Sequence, residues 1–406
     1  MLKELSRDSV TEYLKPKKDR YCLLTNKIRV LLIGYHGRRN IGDDVICVSL
    51  IKTLRKLLGY KTLFYVYTKE NYIRKNFEEN ENSQINFVSS FFSLFKTMIN
   101  SHIVIIDGGD HLHDYGYLLR RLKIFIIFLI LALVIKVTFK KLIIINNGFR
   151  ISTSFGIAFF KIILNLIHCV SVRDRDSFIL VLNYARRHPE EGFDCAVLFD
   201  LRYQPKTCIN ENNKNINIGF SFTPVFSNFF SDSNKDKDIA KIIAKDINYV
   251  IHAIKNINLY FLALNTDPKV GDLSLISEIL RMLDAEALER VRLIVYNGDI
   301  YDFLLKFSNL DAVVCCKYHS VIFSYLLGKP MLVINYHPKN IALVREISLP
   351  DHCLITLDDI FAGKLAMMMI ELINKPEEFK AKLPIYEAKR KAFNGIQRCI
   401  MTCISQ

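Results

Sequence analysis

Four short segments of this chain place titratable or cationic side chains beside glycines or at the ends of apolar runs, where a backbone can come close to a ligand. The first reads GYHGRRNIGDD, from Gly34 to Asp44. Gly34, Gly37 and Gly42 permit sharp turns, and a helix opening after Asn40 would offer unbonded N–H groups to an anion. Asp43 and Asp44 then supply carboxylates toward a ligand, or merely cap the helix. The spacing departs from the dinucleotide pattern GxGxxG. The second segment, IDGGDHLHD (106–114), sets Gly108 and Gly109 as a turn ahead of Asp110, His111, His113 and Asp114. Two histidines and an aspartate imitate metal ligands, but a fourth ligand and a second cluster are lacking, so the expectation is a polar cleft edge and no metal.

The third segment, SVRDRDS (171–177), delivers Arg173 at the end of an apolar run. Its planar, permanently charged fork suits a phosphate or carboxylate; a structural pair with an aspartate is the competing reading. In the fourth, CKYHS (316–320) places Lys317 and His319 where a strand passes into a helix, and NYHPKN (335–340) adds Tyr336, His337 and Lys339 on the next loop. An imidazole at a helix N-terminus beside two lysines suits anion recognition coupled to proton transfer.

Such loops need rigid elements behind them. Short apolar runs alternate with longer helical stretches from residue 28 onward: 28–34, 62–67, 103–107, 142–146 and 169–173, then 216–222, 259–264, 291–296, 312–316 and 331–335. Continuous apolar strands indicate burial on both faces, so the expected class is α/β, with parallel sheets covered by helices. A polar, aperiodic stretch at 204–214 (QPKTCINENNK) interrupts the pattern. The reading is therefore a polar extension (1–27), a Rossmann-like domain (28–205), a second such domain (215–375) and a helical tail (376–406). Ligands of doubly wound sheets bind beyond the carboxyl ends of the strands, and all four segments fall there.

Composition narrows the partners. The chain has 406 residues, half of them hydrophobic, and a formal net charge of +14, so it is a folded protein whose surface attracts anions. The basic residues are scattered and no nucleic-acid module stands out, so nucleic acid is not expected. Ten cysteines form no CxxC pair, which suits reduced, buried thiols and a cytoplasmic protein. The N-terminus lacks the apolar stretch of a secretory signal. Residues 124–135 are twelve uninterrupted apolar residues flanked by Arg120, Arg121, Lys123, Lys136, Lys140 and Lys141. Spanning a bilayer takes about 20. A buried helix is the simpler reading, and a helix resting peripherally on the inner face of an anionic plasma membrane is the alternative.

Taken together, the segments resemble the polysaccharide pyruvyl transferase family. Its GxxGxxNxGDE/D-like start is matched by Gly34, Gly37, Asn40, Gly42, Asp43 and Asp44, its GGG-like turn by Gly108 and Gly109, and its SVRDxxS segment by Ser171, Val172, Arg173, Asp174 and Ser177. A DPAF-like element is echoed at 194–198, and the RLH…G-P…Y-PK signature reads Lys317, Tyr318, His319, Gly328, Pro330, Tyr336, Pro338 and Lys339. The resemblance runs in order over about 28–383 and implies a GT-B-like fold of two Rossmann-type domains facing a cleft. It also implies transfer of a pyruvyl ketal from phosphoenolpyruvate to a sugar or lipid-linked saccharide of an exopolysaccharide or cell-envelope precursor, with no cofactor. Carried over, Arg173, His319, Lys317, Lys339 and Tyr336 become donor-binding residues, His319 the general acid and Asp44 a base toward the acceptor. Three positions depart from the family pattern: Lys317 for arginine, Asp110 for the third glycine, and Thr223 in place of the arginine of a second-domain S-x-R-P. A nucleotide-sugar glycosyltransferase or a non-catalytic glycan-binding relative are the alternatives.

Overall fold

The structure, a computed structural model, describes residues 27–114, 118–201, 215–230 and 232–405. The polar stretch 204–214 and most of the N-terminal extension lie outside them. Two parallel sheets organise the described chain. In the first, β1 (Arg29–Ile33), β2 (Leu63–Tyr67), β3 (Ile85–Val88), β4 (Ile103–His113), β5 (Lys141–Arg150), β6 (Cys169–Val172) and β7 (Glu190–Glu191) lie in the order 3-2-1-4-5-6-7. In the second, β8 (Ile216–Ser221), β9 (Ile257–Ala263), β10 (Val291–Val295), β11 (Ala312–Cys315), β12 (Met331–Asn335) and β13 (Leu354–Thr356) lie in the order 10-9-8-11-12-13. Both orders reverse beside their first strand, between β1 and β4 and between β8 and β11, and such a switch point opens a crevice at the carboxyl ends of the strands.

Local sequence explains the element that matters most. Helix Ile41–Leu58 starts at Asn40, whose side chain accepts the Gly42 N–H, carries Asp43 and Asp44 in its first turn, and ends at Gly59, with φ of 87°. These are favourable N-terminal and C-terminal signals for the helix dipole and for chain reversal. It is buried on nearly every side because it lies between the first sheet, the second-domain helix Ile300–Ser308 and the last helix, Ile385–Ile404. Its apolar residues, from Val45 and Ile46 to Leu54, Leu57 and Leu58, point to more than one side and need such enclosure. That last helix lies against β5, β6 and β7 of the first sheet rather than beside the second.

One expectation is corrected at β4 and β5. The GG pair was expected to turn the chain after residue 107, but β4 continues to His113 alongside β5, which continues to Arg150. Gly109 sits at φ of 114°, and the pairing register shifts between Gly109 and Leu112. The left-handed backbone of Gly109 is absorbed as an irregularity inside a strand, which aims Asp110 sideways instead of into a loop.

Candidate functional site

A cleft of about 310 Å³ lies between the sheets, lined among others by Asn40, Asp43, Gly109, Asp110, Arg173, Lys317, His319, Tyr336 and Lys339. The two halves are joined at its floor: Asn40 bridges Asn265, Ile41 donates its N–H to Leu264 O at 3.0 Å, and Thr266 donates to Arg39 O at 2.9 Å. Three helices begin at the cleft, Ile41–Leu58, Tyr318–Leu326 and Pro338–Glu346. Lys317 makes no side-chain cap at the second of these, so that first turn is not closed off from a bound anion. The cleft brings together residues separated by some 300 positions because each is fixed to the carboxyl end of its own strand.

Arg173 is 3% exposed and bridges two carboxylates, donating from NH1 to Asp194 Oδ2 and from NH2 to Asp110 Oδ1, each at 2.8 Å. Its guanidinium also lies 4.3 Å from the centroid of the Tyr318 ring. Burial opposes ionisation of Asp110, yet Arg173 and Lys339 hold its carboxyl well below the usual range. The departure at Asp110 therefore adds no free negative charge to the cleft; it is neutralised by the arginine expected to bind the donor. Lys317 is likewise engaged, with Asp272 Oδ1 at 2.9 Å.

Lys339 differs. No carboxylate pairs with its ammonium among the described residues, and its recorded neighbour is the Tyr336 ring, 5.6 Å from Nζ to the centroid. Burial and the charges of Arg173 and Lys317 lower its pKa, with Asp110 opposing. The imidazole of His319 stands against the backbone of Gly42, so close that a Cβ there would lie 1.9 Å from Nδ1. Its Nε2 is buried without a hydrogen-bond partner among the described residues. Burial, together with Arg173, Lys339 and Lys317, pushes the His319 pKa down to about 4, against a smaller opposing effect of Asp194. This environment favours the neutral imidazole, which runs against the general-acid role that the resemblance implies for His319.

The carboxylates of the first helix divide the work differently from the expectation. Asp44, expected as a base, does not face the cleft. It is fully buried and accepts the Gly37 N–H at 2.9 Å, the Tyr72 hydroxyl at 3.0 Å and the Tyr296 hydroxyl at 2.8 Å, knitting the two halves together. Gly37, at φ of 62°, serves that bond, and Gly108 lies against Ile46 of the helix. Asp43 is the one that lines the cleft, held by Asn40 Nδ2 at 2.6 Å from Oδ2. Burial and the neighbouring Asp44 push its carboxyl up to about 7, with His36 opposing. Below it His36 and Asp107 form a fully buried pair at 2.8 Å; burial disfavours the imidazolium, but Asp107 raises its pKa well above the ordinary value.

Several lining residues were missed in the sequence: Asn265, Asn228, Phe229 and Val270. Asn265 was findable, because it follows β9 and the carboxyl ends of strands were already the place to look. Asn228 and Phe229 sit on the short helix Val225–Phe230 and carry no such signal. Asp114, read with His111 and His113 as a mimic of a metal site, accepts the Ser152 and Thr153 N–H groups at 2.8 and 2.6 Å and so fixes the start of helix Ser154–Leu166. Among the described residues no three His, Cys, Asp or Glu side chains converge as metal ligands.

Solved structures with the same two-sheet architecture include a UDP-GlcNAc 2-epimerase from Neisseria meningitidis bound to UDP-GlcNAc, at 13% identity and TM-score 0.60 over 93% of this chain and 100% of that one. The S. aureus MnaA–UDP structure aligns at 10% identity and TM-score 0.56 over 93% and 94%. Sucrose-phosphate synthase from Thermosynechococcus elongatus aligns at 11% identity and TM-score 0.50 over 93% and 97%. At such identities the likeness is one of fold, and that fold is GT-B-like. A search of curated proteins gave no match. The family model described as polysaccharide pyruvyl transferase matches residues 40–338, a span that holds the second and third cleft segments whole, the first from Asn40 onward and the fourth up to Pro338. The chain belongs to the polysaccharide pyruvyl transferase family and is a transferase that modifies polysaccharides.

Proposed function

We propose that the cleft takes phosphoenolpyruvate as donor and transfers its three-carbon unit, as a ketal, to two hydroxyls of a saccharide. The observation that carries this reading is the cluster at the cleft floor: Lys339, an ammonium with no carboxylate partner among the described residues, beside His319 Nε2, an imidazole edge with no hydrogen-bond partner among them, and Asp43, a cleft-lining carboxyl whose pKa burial and Asp44 push up to about 7. A small donor bearing a carboxylate and a phosphate meets Lys339 and the three helix N-termini, where its charge is favoured. Lys317 and Arg173, already paired, shape and orient the site. Asn265, Asn228, Phe229 and Tyr336 supply amides and aromatic faces of the kind that hold a sugar.

The chemistry balances with one proton given to carbon and two taken from the sugar hydroxyls. A proton is added to the methylene carbon of the enolpyruvyl group, making a methyl and leaving C2 electron-poor. The first sugar hydroxyl attacks C2 and gives up its proton; the second hydroxyl then attacks C2 as the C2–O bond to phosphate breaks. Of the two hydroxyl protons, one replaces the proton spent on carbon and the other leaves with phosphate. Asp43 is the acid to carbon in this reading, since an anionic donor beside it raises its pKa further. His319, neutral at rest, receives the hydroxyl proton through Nε2, and the same donor charge stabilises the imidazolium it becomes.

The test is phosphate release from phosphoenolpyruvate in the presence of saccharide or lipid-linked saccharide acceptors, with the product checked by mass for a pyruvyl ketal. Release that depends on acceptor and is lost in Lys339→Met supports the reading. Turnover of a nucleotide sugar with phosphoenolpyruvate inert would assign the cleft to glycosyl transfer, and glycan binding without turnover of any donor would make it a binding site.

A further inference from the structure

The four helices that cover one face of the first sheet, Phe91–Asn100, Leu118–Val137, Ser154–Leu166 and Arg175–Tyr184, all place side chains in one apolar cluster against that sheet. Their opposite sides should be polar in a protein surrounded by water. They are not. On Leu118–Val137, Phe125, Ala132 and Ile135 are buried, whereas Ile126, Ile127, Ile130, Leu133 and Val137 are 40 to 73% exposed, a stripe at steps of one, three, three and four residues. The stripe continues onto the neighbours, with Phe91, Phe92 and Phe95 on the first helix, Ile162 on the third, and Ile179 and Leu182 on the fourth. Phe139, just past the second helix, is 93% exposed and sits at φ of 54°, a left-handed backbone that a bulky residue rarely adopts. Nothing among the described residues covers this face, and an apolar surface shared by four helices marks an interaction site.

Charge identifies the occupant. From residue 115 to residue 173 the chain contains no Asp or Glu, while exposed Lys123, Lys136 and Lys161 lie on these helices, joined by Lys96, Arg186 and Arg187. A second copy of the chain would bring two basic rims together, which is repulsive. A surface with an apolar interior and anionic headgroups complements both the stripe and its rim. No helix among the described residues is long and apolar enough to cross a membrane, so the contact would lie in the interfacial plane. We infer that this four-helix face docks the protein onto an anionic lipid bilayer, with the Ile127–Ile130 stripe and Phe139 inserted and the lysines at headgroup level. The expectation of a buried helix at 124–135 is corrected by the exposure of Ile126, Ile127, Ile130 and Leu133.

The experiment is co-sedimentation of the full chain with vesicles of phosphatidylcholine alone or of phosphatidylcholine with an equal part of phosphatidylglycerol, in about 0.1 M and about 1 M salt. It needs no turnover, so it fails or succeeds independently of the donor assignment. Binding is expected to the anionic vesicles, to fall with salt, and to weaken at least roughly tenfold in Ile127→Glu/Ile130→Glu, because a charge at an inserted position opposes partitioning. Lys136→Glu/Lys161→Glu should lose the preference for anionic lipid, and both variants should melt like the parent since all four positions are exposed. Absence of vesicle binding would overturn the inference. So would binding unaffected by either pair, or a self-associated parent that fails to bind vesicles and becomes monomeric in Ile127→Glu/Ile130→Glu.

Discussion

Replacing Gly42 by alanine tests whether the position of His319 is set by the absence of a side chain beneath it. An added Cβ would lie 1.9 Å from His319 Nδ1 and 2.1 Å from Cγ. Ordinary carbon contact needs about 3.5 Å, so the ring must move by about 1.5 Å. Overpacking of this kind costs about 1–3 kcal/mol, and the gain from alanine over glycine in a helix offsets about 1 kcal/mol of it. The net loss of stability is therefore at most about 2 kcal/mol, whereas displacing a reacting group by about 1 Å can lower the rate about 10²-fold. The assay is acceptor-dependent phosphate release beside denaturant unfolding. With His319→Ala already present the ring is gone, and adding Gly42→Ala should slow the enzyme no further. A Gly42→Ala enzyme within about twofold of the parent rate would refute the argument, as would losses that simply add in the double variant.

Arg173→Met should destabilise by about 3–5 kcal/mol at neutral pH, because it strands Asp110 and Asp194 as buried charges. Asp110 ionises more easily folded than unfolded, so its stabilisation is full above about pH 4 and fades as acid approaches its lowered folded pKa; Arg173→Met should lose that acid sensitivity, read by unfolding at several pH values. Asp43 has the opposite sign. Its folded pKa of about 7 makes its contribution full below about pH 4 and lost as the pH rises to 7, so Asp43→Asn should flatten stability across that window and remove an ionisation near 7 from the pH–rate profile. Binding of phosphoenolpyruvate at pH 7 should take up protons, because the donor's charge raises both His319 and Asp43; calorimetric titration in two buffers of different ionisation enthalpy measures this, and the uptake should shrink in His319→Ala.

The architecture was legible because its strands are buried on both faces and so read as unbroken apolar runs, as at β1 and β12. The strands that escaped notice, β3, β7 and β13, are two to four residues long and lie toward the sheet edges, where INFV or a bare Glu190–Glu191 has no pattern to detect. The site was legible as segments but not as roles. Arg173 announced a charge, yet its partners Asp110 and Asp194 lie 63 and 21 positions away, so nothing local showed that the fork is already filled. Asp43 and Asp44 are adjacent and chemically identical; the helix turns one toward the cleft and the other toward Tyr72 and Tyr296, and the second of these tyrosines arrives from the other sheet. The His319 pKa depends on burial and on three cations supplied by different strands, which no spacing encodes.

The central claim is that a proton is delivered to the donor's methylene carbon within this cleft. Carrying out the reaction in deuterated water, with phosphoenolpyruvate and a saccharide acceptor, tests it most directly. The account predicts a ketal whose methyl group carries one deuterium, and no such product from Asp43→Asn or Lys339→Met. A ketal methyl without deuterium, or an unchanged yield from both variants, would contradict it.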